Sequence, residues 1–326
     1  MYLGRESFFP QPERQAAKEL FKKNVRRIEI ETHSYCNRRC GYCPNVVGDR
    51  LGENKRMNDD VWFLVLRDLQ EIDYDGNFVL NSYNEPLADR IILDRIREVR
   101  SMVPKARTLI YTNGDYLTPE YVKELADAGL HYMHVSIHMA PDDKYSDAYA
   151  LDRISEVTTR MGIPAKFQNL KGGEYILARA SHKSIEIEVR AINYWKHGTD
   201  RGGLLDGFDI KHARTAPCFF PFSHFHIGFE GVVVPCCHIR SDSPQHRPYR
   251  YGNVRDYGSI YQIYASRVAT EWRRHLISSE EKGGPCRTCT VPFPQDPAVL
   301  AQVKAAAERF VTGEPVVSAE AASAAS

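Results

Sequence analysis

The sequence predicts an α/β fold: a barrel, partial or full, of parallel strands with helices outside, followed by a smaller module stapled by metal. Strand-like and helix-like segments alternate in four successive units between residues 27 and 161, the pattern of a parallel sheet covered by helices. After about residue 203 the helical rhythm stops, and Cys218, Cys236, Cys237, Cys286 and Cys289 gather there. A chain of 326 residues, 43% apolar and 26% charged, has room for one large domain and a smaller one, which excludes a peptide-sized scaffold held by cystines.

Each element follows from its spacing. Residues 1–25 are charged and mixed and read as an N-terminal arm or short helix. Arg27 to Thr32 alternate as a strand. Residues 57–71 begin on Asn58 and Asp59 and space Val61, Leu64, Leu66 and Leu69 as a helix. Strands follow at Phe78–Leu80, Thr108–Tyr111 and His131–Ile137, with helices at 88–102, 118–128 and about 142–161. Residues 163–191 are less regular, although Ile185 to Arg190 form a clear strand pattern. In such a fold the chemistry sits at the carboxyl ends of the strands. Alternation places His134, Ser136 and His138 on one face of the fourth strand, opposite Met133, Val135 and Ile137. Glu186, Glu188 and Arg190 alternate with Ile185, Ile187 and Val189 in the same way, and for Glu186 a solvated face is an equal reading. Residues 222–235 read as a hairpin turning at Glu230-Gly231. Asp296-Pro297 would open a last helix to about Val311, and the alanine- and serine-rich end reads as disordered. The expected boundaries are an arm over 1–25, a barrel core over 26–204, a metal-stapled module over 205–295, and a helix with tail over 296–326.

The 43 basic and 42 acidic residues leave a formal charge of +1, so no global field favours nucleic acid or an anionic membrane. The start lacks the apolar core of a signal peptide and no apolar run approaches the ~18 residues of a membrane span. A cytoplasmic protein is expected, with no nucleic-acid or membrane partner. In that reducing compartment eight cysteines point to metal binding or thiol chemistry rather than disulfides.

Cys36, Cys40 and Cys43 form C-x3-C-x2-C directly after the first strand. Three thiolates so spaced can hold three corners of an iron–sulfur cube and leave the fourth iron open to a ligand. Zinc is the alternative, with His33 as a fourth ligand, but zinc favours a closed four-ligand site and paired C-x2-C spacing. Buried thiols are a poor fit for a polar loop containing Asn37, Arg38 and Arg39. Cys218, Cys236, Cys286 and Cys289 supply four thiols, and spacing alone does not choose between a closed cluster and zinc.

At these positions the chain resembles the radical SAM superfamily, in which a C-x3-C-x2-C loop after the first barrel strand carries a [4Fe–4S] cluster that chelates S-adenosylmethionine. Tyr42 matches the family's adenine contact. Asn84-Glu85-Pro86-Leu87 resembles the Gly-Gly-Glu-Pro segment that binds the methionine amino group, with Ser82-Tyr83-Asn84 in place of the glycines. Thr112-Asn113-Gly114 resembles the segment near the ribose, and Ser136 ends the fourth strand at a position often used for the cofactor. His138 and Glu188, on inward faces, complete the candidate cofactor contacts. The stretch 229–237, then Tyr251 to Val254, then Pro285-Cys286-Arg287-Thr288-Cys289 is similar to the SPASM or shortened twitch extension. The resemblance implies a partial (β/α)6 radical SAM barrel followed by a SPASM/twitch module. It also implies two [4Fe–4S] clusters, one on Cys36, Cys40 and Cys43 and one on Cys218, Cys236, Cys286 and Cys289, with Cys237 spare.

The spacing of the second set, with Arg201 upstream, resembles the radical dehydrogenases of aminocyclitols. The resemblance implies hydrogen abstraction from a carbohydrate-like small molecule by a 5′-deoxyadenosyl radical, dehydrogenation with Arg201 handling the hydroxyl, and an electron donor such as flavodoxin or ferredoxin. An arginine suits orientation better than base catalysis; its plain reading is a salt-bridge or loop-capping arginine. Epimerisation with Cys237 as hydrogen donor is the second expectation, although Cys237 reads more readily as a small buried residue beside a ligand. Peptide modification is a third, disfavoured by the 35 residues before the first cluster cysteine. A non-catalytic zinc module is a fourth.

Overall fold

The computed structural model describes residues 1–139, 144–208 and 210–311. The expected C-terminal tail and the first two residues expected for the 142–161 helix lie outside the described residues. Helix α1 (Arg14–Asn24) leads into β1 (Arg27–Ile30), after which α2 (Asp59–Glu71), β2 (Asn77–Val79), α3 (Ile91–Met102), β3 (Arg107–Thr112), α4 (Pro119–Ala128), β4 (Tyr132–Ile137) and α5 (Asp147–Met161) alternate. These are the expected strand–helix units. Their ends follow local chemistry. The Asn58, Thr118 and Ser146 side chains accept main-chain N–H groups at the starts of α2, α4 and α5, and Gly129 (φ 98°) and Gly162 (φ 68°) close α4 and α5 in the left-handed region.

Strands β5 (Lys166–Lys171), β6 (Tyr175–His182) and β7 (Ile185–Ile192) follow, then the one-turn helices α6 (Tyr194–His197) and α7 (Phe220–Ser223), then β8 (His224–Ile227), β9 (Val232–Val234) and β10 (Gly252–Asn253). The strands form a ten-stranded sheet of order β10-β9-β8-β1-β2-β3-β4-β7-β6-β5. Its centre, β8-β1-β2-β3-β4-β7, is parallel throughout. Ile28, Ile30, Phe78, Ile110, Met133, Val135, Ile187 and Val189 are buried in one core with the apolar faces of the helices. No helix among the described residues is long and apolar enough to cross a membrane.

Three features differ from the sequence reading. The irregular stretch 163–191 contains a hairpin, β5–β6, that extends the sheet antiparallel to β7; every residue of β5 is exposed, so no buried alternation marks it. The expected hairpin near Glu230-Gly231 forms, but β8 also joins β1 in parallel, Arg27 opposite His224 through Ile30 opposite Ile227. The sheet therefore runs on past residue 205. The second half also has helices where none was expected, α8 (Val254–Tyr257), α9 (Ile260–Tyr264) and α10 (Arg267–Ile277). They start on Asn253, Ser259 and Ser266 caps, and the first two are too short to show a helical period. The last helix, α11 (Pro297–Phe310), is capped by Asp296, whose Oδ1 accepts from Ala298 N and Val299 N.

The N-terminal residues are not a detached arm. Phe21 of α1 meets Phe225 of β8 and Tyr261 and Tyr264 of α9 edge-on, with ring centroids 5.5, 5.5 and 5.3 Å away. Arg273 of α10, fully buried, donates to Ser7 O (2.6 Å) and lies over the Tyr264 ring. The two chain ends thus close over β8 together. Phe21→Ala should cost about 3–5 kcal/mol, the range for emptying a buried aromatic site; urea denaturation checks this, and an unchanged midpoint would show that α1 is dispensable.

Candidate active site

A cavity of about 440 Å³ opens at the carboxyl ends of the parallel strands, within the ~300–1,000 Å³ range of small-molecule sites. Cys36, Cys40, Cys43 and Tyr42 line it from the loop after β1, Asn84 and Glu85 from the segment after β2, and Thr112 and Asn113 from the end of β3. Ser136 and His138 reach it from β4, and Arg201 and Cys237 from the second half of the chain.

The cysteine loop is held by the segment after β3. Asp115 takes a bidentate pair from Arg38, Nε to Oδ2 at 2.6 Å and Nη2 to Oδ1 at 2.5 Å, and Asn37 Nδ2 donates to the same Oδ2 at 2.8 Å. Asn113 Nδ2 donates to Asn37 Oδ1 at 2.7 Å. Burial pushes the Cys36 thiol up to about 12 and Cys40 to about 11. Thiolates in this loop therefore need a cation, which iron would supply. His33 is fully buried and its Nδ1 accepts from Tyr35 N; it does not line the cavity.

Tyr42 lies in an aromatic stack, 4.7 Å from Tyr194 and 5.8 Å from His138, and its hydroxyl is 3.0 Å from His138 Nδ1. Burial pushes His138 down to about 3, so the ring is neutral. Glu85 is 2% exposed, and both of its oxygens are taken by the protein. Thr112 Oγ1 (2.6 Å) and Leu87 N (3.0 Å) donate to Oε1, and Asn113 N (2.7 Å) donates to Oε2. Its carboxylate joins the segments after β2 and β3. Burial nevertheless raises it to about 7. Beside it, Asn84 also lines the cavity, and its Nδ2 is buried without a hydrogen-bond partner among the described residues. Pro86 opens a short turn and is buried away from the cavity. Glu188 also fails to reach it: its carboxylate is drawn to His134 Nδ1 (3.4 Å), Arg179 (3.6 Å) and Arg190 (3.9 Å).

The second cysteine set converges behind the cavity wall. Cys218 N donates to Leu276 O and Cys289 N to Cys286 O. Burial, and then the neighbouring charges of Cys237, Cys286, Cys218 and Cys289, hold the Cys236 thiol well above its ordinary value. Cys237 instead lines the cavity, and burial pushes it up to about 12, so it stays a thiol. Arg201 adopts φ 51°, unusual for a residue with a Cβ, and its buried Nε has no partner. Sequence reasoning missed Asp115, although it directly follows Thr112-Asn113-Gly114, and Tyr194, whose position gave no signal. The residue types present are compatible with two clusters and a cofactor: three thiols in the loop after β1, four gathered in the second half, an aromatic stack, and Asn84 and Arg201 on the cavity wall.

Residues 30–164 match the model of the Radical SAM superfamily, and residues 218–290 match the SPASM model, an iron–sulfur cluster-binding domain. The second match displaces the zinc reading of that set. The chain is similar to the S-adenosyl-L-methionine-dependent 2-deoxy-scyllo-inosamine dehydrogenase of Niallia circulans, 26% identical over 209 residues, which are 64% of this chain and 72% of the relative. It is also 26% identical over 135 residues to the GTP 3′,8-cyclase of Clostridium acetobutylicum, 41% of this chain and 42% of that protein. Among solved structures, BtrN in complex with AdoMet and 2-DOIA superimposes with a TM-score of 0.56 at 23% identity, over 77% of this chain and 87% of that one. That likeness supports the fold.

Two outcomes follow from this geometry. Asp115→Ala releases Arg38 and Asn37 and should lower 5′-deoxyadenosine formation ~10–100-fold, as losses of outer-shell support do, with the circular dichroism spectrum unchanged. Glu85, with its carboxyl raised in the folded state, contributes stability that is full below the ordinary carboxylate range and is lost as pH rises to about 7. Glu85→Gln should flatten that decline in denaturation measured across the same pH range.

Proposed function

The chain belongs to the radical SAM superfamily and carries a C-terminal SPASM domain, and from that premise we propose that it dehydrogenates an alcohol carbon of an aminocyclitol or amino sugar. S-adenosylmethionine and two [4Fe–4S] clusters, one binding the cofactor and one auxiliary, go with these domains. We assign the first cluster to Cys36, Cys40 and Cys43 and the auxiliary one to Cys218, Cys236, Cys286 and Cys289. When bound and reduced by a donor such as flavodoxin or ferredoxin, the cofactor supplies a 5′-deoxyadenosyl radical that takes hydrogen from an unactivated carbon.

The protein's part is to position. The Tyr42–Tyr194–His138 stack offers flat faces for adenine, and Asn84 lines the same cavity at the segment expected to take the amino acid end. Arg201, always cationic, would hold the substrate hydroxyl as its proton departs to solvent rather than accept that proton. Loss of the hydrogen atom, a proton and one electron turns the carbinol into a ketone. The observation that carries this reading is the shared wall: Cys43 and Cys237 line one cavity, and Cys237 adjoins Cys236 of the second set. The electron thus leaves the substrate next to an electron-accepting site.

Epimerisation is a second reading, favoured by one observation: the Cys237 thiol lines the cavity in its protonated form, as a hydrogen donor must. Incubation with S-adenosylmethionine, a reductant and candidate aminocyclitols in deuterated water separates the two by mass spectrometry. Dehydrogenation removes two hydrogens from the substrate, so the product is two mass units lighter. Epimerisation keeps the formula and places one deuterium on carbon, and that deuterium would disappear in Cys237→Ala. Absence of substrate turnover alongside cofactor cleavage would direct the reading to another substrate class. Replacing Cys36, Cys40 and Cys43 together with Ala should leave about half of about eight irons per chain and no 5′-deoxyadenosine; unaltered cleavage would refute the first cluster's assignment.

A further inference from the structure

Two cations are buried beside the second cysteine set, and neither has a carboxylate in ion-pair contact among the described residues. Arg214 is 4% exposed and Lys282 1%. The Arg214 guanidinium donates to Ala216 O (2.8 Å), Pro217 O (2.5 Å) and Val291 O (2.5 Å), and its Nη1 is 3.4 Å from Cys289 O and 3.7 Å from Cys289 Sγ. It thereby spans the segments that carry Cys218 and Cys289. Lys282 Nζ donates to Ser278 O (2.6 Å) and Oγ (3.0 Å), and Lys282 N donates to Arg214 O (2.8 Å). The adjacent Glu281 pairs with Arg287 at 3.6 Å.

Burial and then the Arg214 charge push the Lys282 ammonium down to about 8. Arg214 reaches the second set directly at Cys289 Sγ, and Lys282 is tied to it through its main-chain bond to Arg214 O. Two like charges buried together are costly unless an anion answers them. Four thiolates leave a [4Fe–4S] cluster with net negative charge, and reduction adds one more. A positive field at that place stabilises the reduced form over the oxidised one and so raises the reduction potential.

We propose that Arg214 and Lys282 are positioning residues that raise the potential of the second cluster, so that it accepts the electron leaving the substrate. The inference rests on the reading that Cys218, Cys236, Cys286 and Cys289 hold that cluster. Oxidation of the substrate radical to the ketone releases one proton and one electron, and the electron reduces the cluster by one unit.

The test uses the full chain with Cys36, Cys40 and Cys43 replaced by Ala, so that only the second cluster reports, and follows a reductive titration by electron paramagnetic resonance. Lys282→Met and Lys282→Gln should each make the cluster at least tenfold harder to reduce, a fall of ~59 mV for one electron. Lys282→Arg should keep the original potential, and Arg214→Met should shift it in the same direction as the neutral lysine variants. Loss of the cluster's iron in both neutral lysine variants but not in Lys282→Arg would support the same charge dependence. An unchanged potential in a neutral variant that keeps its iron, a shift shared by Lys282→Arg, or iron loss in all three would overturn the inference. A parent protein without about four irons would instead overturn the assignment of the second cluster.

Discussion

One buried carboxylate at the end of β1 holds the parts of the site in register. Glu31 is 1% exposed. Its Oε1 accepts from Tyr83 N (2.8 Å) and Arg50 Nη1 (3.2 Å), and its Oε2 faces Arg50 Nη2 (3.3 Å) and Phe229 N (3.4 Å). Those partners come from the end of the cysteine loop, the segment after β2 and the hairpin of the second half. Arg50 continues to Asp242 at 3.1 Å, and Arg240, bound to the same Asp242, donates to Pro44 O at 2.6 Å. A buried pair of this kind adds little net stability compared with an apolar core, but removing one partner strands a charge and costs several kcal/mol, about 3–5. It enforces one arrangement of three segments that local propensity leaves free.

That arrangement decides how near the two cysteine sets lie. Parallel pairing of β8 with β1 puts the hairpin that carries Cys236 and Cys237 beside the strand that leads to Cys36. Tyr83 then closes the gap, its hydroxyl donating to Cys237 O at 2.5 Å. Tyr83 therefore has a structural effect: it braces the segment after β2 against the second half of the chain. The cavity wall is made by contacts between the two halves of the chain, so neither half would form the site by itself.

Much of the core was legible because its signals are local. Ile28 and Ile30 alternate, α2 starts on an Asn cap, and three cysteines within eight residues of a polar loop limit the chemistry on offer. What escaped the sequence depends on tertiary partners. β5 shows no alternation because it is exposed along its whole length. His224 to Ile227 looks like half of a hairpin, and nothing in four residues tells which other strand will flank it. Glu188 shares the alternation of an inward face, yet His134, Arg179 and Arg190 draw its carboxylate away from the cavity. Arg214 and Lys282 read as two surface cations among 43 basic residues; only folding buries them beside thiols.

On the proposed assignment the eight cysteines divide as three, four and one, and the one left over marks a competition. A substrate radical in the cavity can lose an electron through the wall toward Cys236 or regain a hydrogen atom from the Cys237 thiol. Both routes begin at neighbouring residues, so position alone does not separate them. Electrostatics does. A positive field from Arg214 and Lys282 favours the electron's transfer and leaves a neutral S–H donor almost unaffected, because hydrogen-atom transfer moves no net charge. In the proposed reaction Arg201 orients the hydroxyl, and it is loss of that hydroxyl's proton that makes the radical easier to oxidise. On the proposed cluster assignment, the charges of Arg214 and Lys282 therefore favour dehydrogenation over return of hydrogen.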